Sequence, residues 1–150
     1  MKQLAPMQVW EILRDKGQRV ATVAPGADVK AAVALLAERG VGALVVSEDG
    51  ETIDGIISER DIVRALDAIN PAELMVEPVS SIMTTEVITC NSADHVVNLM
   101  ATMSDLRIRH VPVESEGSVR GIISIGDVMK TTVPTTAIEP ALLPEFIKQG

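Results

Sequence analysis

Gly55-Ile56-Ile57-Ser58-Glu59-Arg60-Asp61-Ile62-Val63 returns later in the chain as Gly121-Ile122-Ile123-Ser124-Ile125-Gly126-Asp127-Val128-Met129. Each copy opens with an apolar run of strand type, passes through Ser-x-x-Asp, and continues in an apolar pattern of helical period. A hydroxyl and a carboxylate are thereby set on a strand-to-helix corner, and the chain builds that corner twice. The same spacing fits a capping box, in which the Ser side chain accepts from a helical N–H and the acid reaches back to the Ser N–H. The motif alone leaves a ligand site and a self-satisfied helix cap equally open.

The repeat extends on both sides of the corner. Val20-Ala21-Thr22-Val23 and Glu86-Val87-Ile88-Thr89 read as short strands. Polar breaks follow, with Asp28 and Asp94 as expected helix N-caps. Val29, Ala32, Val33 and Leu36 then fall on one helical face, as do Val96, Leu99, Met100 and Met103, with one residue inserted in the second copy. Ala43-Leu44-Val45-Val46 and His110-Val111-Pro112-Val113 are strand-like, and acidic Gly-containing turns at 48–51 and 114–117 lead into the return strands. Ile62, Val63 and Leu66 are expected on one apolar face of the closing helix, with Val128 and Met129 as counterparts. Each unit reads β-α-β-β-α over roughly 50 residues, too little to bury a comfortable core alone. The sequence predicts two units packed sheet against sheet around one shared core.

Three segments lie outside the repeat. Residues 7–16 suit a helix capped by Gly17. Residues 70–83 join the copies and hold a short helix around Val79, Ile82 and Met83. The tail from 134 to 150, with Pro134, Pro140 and Pro144, reads as an irregular arm with a short helix near Phe146. The domains are then 7–69, 78–133 and the arm.

Composition narrows the function classes. Apolar residues make up 47% of the 150, yet Trp10 and Phe146 are the only aromatics, so the core is aliphatic. The formal net charge of −8 disfavours nucleic-acid and anionic-membrane partners, which need a basic footprint. No apolar run approaches the roughly 18 residues of a membrane span. Cys90 is the only cysteine, so no internal disulfide forms, and a cytoplasmic location is expected. It reads as a small buried apolar residue. His95 and His110 have no second His or Cys at ligand spacing, so no metal is expected. Neither a nucleophile–base pair nor a phosphate-binding glycine loop is present, so no enzyme is expected.

The two Gly-Ile-Ile-Ser corners and Arg107-Ile108-Arg109-His110-Val111-Pro112-Val113, in this order and spacing over residues 7–131, resemble the paired CBS domain, or Bateman module. Small bacterial members without an attached enzyme are especially similar. The resemblance implies an α/β (α+β) fold of two β-α-β-β-α units related by a pseudo-two-fold axis. It also implies two clefts that bind AMP, ADP, ATP, NADH or S-adenosylmethionine, disc-like homodimers, and regulation of an unidentified protein rather than catalysis. The family's ribose-binding Asp falls on Asp61 and Asp127, where a carboxylate accepts from both vicinal hydroxyls. Its Ser/Thr falls on Ser58 and Ser124, and its phosphate-facing basic pair on Arg109 and His110. Arg60 stands as a further cation at the mouth, and adenine is expected against Thr22, Val23, Thr89 and Cys90. The first copy has Gly42-Ala43 where the second has Arg109-His110. The expectation is therefore that the Ser124–Asp127 cleft carries the phosphate chemistry and the Ser58–Asp61 cleft is weaker. The competing reading is a dimerising scaffold with vestigial clefts, its interface built on the closing helices.

Overall fold

The computed structural model describes residues 7–17 and 20–132. α1 (Val9–Lys16) comes first and ends at Gly17, whose φ of 92° lies in the region glycine tolerates best. β1 (Thr22–Val23), α2 (Val29–Arg39), β2 (Ala43–Val46), β3 (Gly55–Ser58) and α3 (Glu59–Ala68) form the first unit. Its sheet has the order β1-β2-β3, with β1 parallel and β3 antiparallel to β2. β2 is central and all four of its residues are buried, so it reads as a continuous apolar run rather than an alternation. The Asp28 carboxylate accepts from the Ala31 N–H at 2.9 Å and caps α2 as expected, a contact worth about 1 kcal/mol.

α4 (Pro71–Met75) and a single 3-10 turn (Val79–Ser81) make the connection between the units. The second unit holds α5 (Val96–Leu106), β4 (His110–Ser115), β5 (Ser118–Ser124) and α6 (Ile125–Thr132). β4 and β5 form a hairpin through Glu116 and Gly117, both at positive φ, as a two-residue turn requires.

Three expectations change here. Residues 86–89 do not form a strand, and Cys90 makes only a single parallel bridge to Val113. In the first unit Val45 donates its N–H to the Ala21 carbonyl; the equivalent residue is Pro112, which has no N–H for Ile88. Second, Asp94 is not a helix cap. The inserted residue puts His95 at the N-cap of α5, with no side-chain cap bond, while the Asp94 carboxylate accepts from the Asn91 N–H at 2.8 Å. Third, α3 buries Ile62 and Ala65, whereas Val63 and Leu66 are 65% and 42% exposed.

The shared core is also replaced by separate clusters, and each recruits the segment that precedes the other unit. Val9, Ile12 and Leu13 of α1 pack with Val96, Leu99, Met103, Val111 and Ile123 of the second unit. Val79, Ile82 and Met83 of the connection pack with Val23, Leu44, Val46 and Ile57 of the first. Backbone bonds repeat the exchange. Val9 donates to Asp94 and Val96 to Met7; Val79 donates to Ala27 and Val29 to Glu77. The crossed segments tie the two small units into one body, each fully buried aliphatic side chain contributing about 1.5–3 kcal/mol relative to exposure. The arm at 134–150 lies outside the described residues.

Candidate nucleotide-binding cleft

Both Ser-x-x-Asp corners are closed capping boxes. The Asp61 carboxylate accepts from the Ser58 N–H at 2.9 Å and the Ser58 hydroxyl at 3.0 Å, while the Asp61 N–H donates to Ser58 Oγ at 3.3 Å. The Asp127 carboxylate accepts from the Ser124 N–H at 2.9 Å, and the Asp127 N–H donates to Ser124 Oγ at 3.1 Å. Each corner is pinned to the start of the neighbouring strand, through Glu59 N–H to Gly42 O and Ile125 N–H to Arg109 O. The helix-cap reading is thus correct at both corners. A carboxylate has about four lone-pair sites, however, so capping does not exhaust it.

The surroundings separate the corners. A cavity of about 350 Å³ opens between the units, and Ser58, Arg60 and Asp61 line it together with Arg107, Arg109 and His110 of the other unit. Its volume lies at the lower end of the roughly 300–1,000 Å³ typical of ligand pockets. Arg64 adds a fourth guanidinium, Glu59 and Glu86 add carboxylates, and Ile56, Val87, Ile88 and Ile108 supply an apolar wall. Arg60 reaches across and donates to the Arg107 carbonyl at 3.0 Å. Arg107 ends α5 at φ 54°, a left-handed conformation that Gly40 supplies in the first unit. A non-glycine residue held there costs of order 1 kcal/mol, and such strain gathers at functional sites.

This geometry groups the expected site residues differently from their order along the repeat. Arg109 and His110 line the cavity with Asp61. The approximate two-fold brings the α-to-β connection of one unit against the β-to-α corner of the other. His110 lies between the corners. Burial pushes its pKa below 6.5, Lys16 and Arg109 add to that, and Glu59 and Asp127 oppose it. Its Cε1 and Nε2 each stand 3.0 Å from where a Cβ on Gly42 would be, and Glu59 Oε1 2.7 Å, so the small residue there makes room for both side chains.

Asp127 meets a different partner. Lys16 Nζ lies 2.6 Å from its carboxylate and also donates to the Ile122 carbonyl at 2.7 Å. Burial alone would raise the Asp127 pKa; the Lys16 ammonium and the Ser124 N–H outweigh it and hold the carboxyl below its ordinary 3.8.

The residues expected against adenine lie elsewhere than this cavity. Thr22, Val23, Thr89 and Cys90 line no part of the cavity: Val23 and Cys90 belong to the cores. Burial and Asp94 raise the Cys90 thiol to about 12, which makes it inert. Val87 and Ile88, left unpaired by Pro112, do line the cavity. Sequence reasoning missed Thr84, whose hydroxyl donates to Asp61 at 3.1 Å, and Lys16, because each approaches from a leading segment outside the repeat. It also passed over Arg64, which follows the quoted corner directly. Among the described residues no helix is long and apolar enough to cross a membrane, and no three His, Cys, Asp or Glu side chains are grouped to hold a metal ion.

Residues 10–68 and 79–133 each match the sequence model of the CBS domain. The chain belongs to the CBS-domain family. It is 37% identical over 123 residues to the mitochondrial CBS domain-containing protein CBSX3 of Arabidopsis thaliana, a match covering 79% of this chain and 59% of that protein. It spans only 33% of another curated relative, from Thermofilum pendens. Among solved structures, the CBS-domain protein ATU1752 of Agrobacterium tumefaciens is 41% identical with a TM-score of 0.78, over 83% of this chain and 98% of that one. The CBS-domain protein PAE2072 of Pyrobaculum aerophilum was solved in complex with AMP; it is 26% identical, with a TM-score of 0.71 over 95% of this CBS pair and 99% of that chain. The CBS domain pair of protein MJ0100, in complex with 5′-methylthioadenosine and S-adenosyl-L-methionine, is 26% identical with a TM-score of 0.73, over 84% and 95%.

Proposed function

We propose that this CBS pair is a regulatory module that binds an adenine nucleotide in the cleft at Ser58 and Asp61. The observation that carries the reading is the cavity that sets one ribose-type carboxylate, Asp61, among Arg60, Arg64, Arg107 and Arg109. Asp61 accepts from the ribose hydroxyls, and the guanidiniums take the phosphate, for which their planar forks are suited. Adenine rests on Val87, Ile88 and Ile108, since no aromatic platform lines this cleft. The AMP complex of one solved relative and the methylthioadenosine and S-adenosyl-L-methionine complex of another support an adenosyl ligand.

A ligand in this cleft touches both units at once. Its binding free energy therefore favours the relative orientation in which both sets of contacts are made, and a partner protein reads that orientation. The role assigned is regulatory, with no catalytic residue. The exposed Val63 and Leu66 on α3 favour association of two modules through their closing helices, and light scattering at micromolar concentration should show twice the 16.0 kDa chain mass. The location we assign is the cytoplasm.

Thermal unfolding with adenosine, AMP, ADP, ATP, 5′-methylthioadenosine and S-adenosyl-L-methionine tests the reading. A ligand at 100 times its Kd adds about 2.7 kcal/mol to the folded state, and the melting temperature should rise with its concentration. No shift with any of them would leave the helix caps as the sole role of both corners and favour the scaffold.

A further inference from the structure

We infer that Lys16 is a built-in occupant of the second cleft: its ammonium stands on Asp127 where ribose hydroxyls would bind, so the chain takes one nucleotide and keeps a second site closed. The inference rests on the reading of the two Asp residues as ribose ligands.

The exchange of leading segments is the basis. In the first unit Thr84 donates its N–H to the Ile56 carbonyl and its hydroxyl to Asp61. In the second, Ile122 answers to Ile56 and Asp127 to Asp61, and Lys16 Nζ alone bonds both. Thr84 is a neutral hydroxyl, so Asp61 keeps its charge unmatched on that side. Lys16 is a cation at 2.6 Å, and the two side chains are 33% and 17% exposed, so solvent screens the pair only in part. A ribose that approached Asp127 would meet an ammonium already seated on Oδ2 and would have to compete with it for the carboxylate.

The helix that delivers Lys16 is firmly seated. Leu13, one turn earlier, is buried against Gly121, and a Cβ at Gly121 would meet Leu13 Cδ2 at 2.5 Å. α1 also runs further than the 3-10 turn at Val79–Ser81 that occupies the equivalent place in the first unit. That extra length brings Lys16 over the corner. The second corner carries Ile125 and Gly126 where the first has Glu59 and Arg60, and Gly42 where the other cleft receives Arg109. Once opened, it offers a carboxylate with little to hold phosphate and should take a nucleoside about as well as its monophosphate.

Calorimetry on the full chain, with AMP and adenosine as probes, tests this. The wild type should bind one AMP. Lys16→Met, which keeps the aliphatic stem and removes the ammonium, should bind two. Lys16→Met with Asp61→Ala should bind one, with AMP and adenosine within about threefold of each other. Lys16→Arg, which restores a cation, should return to one. Lys16→Gln replaces Lys16→Met if the latter does not give a cooperative melt. Two sites in the wild type, or the same number in Lys16→Met as in the wild type, overturns the inference. A wild type that binds nothing while Lys16→Met binds one would sustain Lys16 as an occupant and overturn the first-cleft function instead.

Discussion

The two Ser-x-x-Asp corners are nearly the same in backbone and differ in what each carboxylate meets. Both cap the following helix through the same reciprocal bonds. Asp61 faces a cavity shared with Arg60, Arg64, Arg107 and Arg109, whereas Asp127 is neutralised by Lys16. A duplicated motif thus fixes where a carboxylate points but not what it meets. The partner comes from whichever segment the other unit lays across it.

The largest effect should be on binding. In the proposed binding mode, Asp61→Ala removes a hydrogen bond between a charged acceptor and the ribose, about 1.5–3 kcal/mol, or roughly 10- to 150-fold in AMP affinity. Asp127→Ala should change it by less than about threefold. Calorimetry decides, and equal losses would break the comparison.

Next in size is packing beneath the corners. A Cβ at Gly55 would lie 2.9 Å from the Thr84 carbonyl as well as 2.7 Å from Met83 Sδ, whereas at Gly121 it meets only the end of Leu13. A backbone carbonyl cannot swing aside as a side chain can. Gly55→Ala should therefore cost about 1–3 kcal/mol in chemical denaturation, and Gly121→Ala less. The reverse order would show that α1 is held more rigidly than the connection.

Arg109→Ala should weaken AMP by about tenfold and leave adenosine nearly unchanged, since a charge-assisted bond to phosphate is lost and nothing else. A parallel loss for adenosine would move Arg109 from phosphate to the nucleoside.

Helix capping gives a gain of similar size in stability. Asp28 caps α2, but the equivalent His95 leaves α5 uncapped, with its Nδ1 buried and unbonded. His95→Asp should raise stability by about 1 kcal/mol at pH 7, read as a higher denaturant midpoint at unchanged slope.

The smallest effect is on pH. His110 is held below 6.5, so as pH falls through 6.5 the unfolded chain takes up a proton before the folded one does. Stability should therefore be full above pH 6.5 and decline below it, by at most about 1.4 kcal/mol per pH unit. His110→Gln should flatten this part of the profile. Asp127 acts in the opposite range: its stabilisation is present above 3.8 and is lost only as pH falls through its lowered pKa.

Much of this was legible in the chain itself. The repeated order of apolar runs, Asp28 at a helix start, Gly17 at a helix end and the corners at Ser58 and Ser124 are local, and local periodicity and capping chemistry determine them. The sequence also displayed Pro112 against Val45, although its consequence, the lost strand at 86–89, needs the knowledge that this N–H would have paired with Ile88. What only the tertiary structure decided is pairing across the approximate two-fold. Arg109 is far from Asp61 in sequence and belongs to the other repeat, and Lys16 and Thr84 lie outside both. Nothing in a residue's own neighbourhood says which copy it will face. That is set by the leading segments crossing to bury Leu13 and Val79, a long-range packing choice that carries the charges along with it.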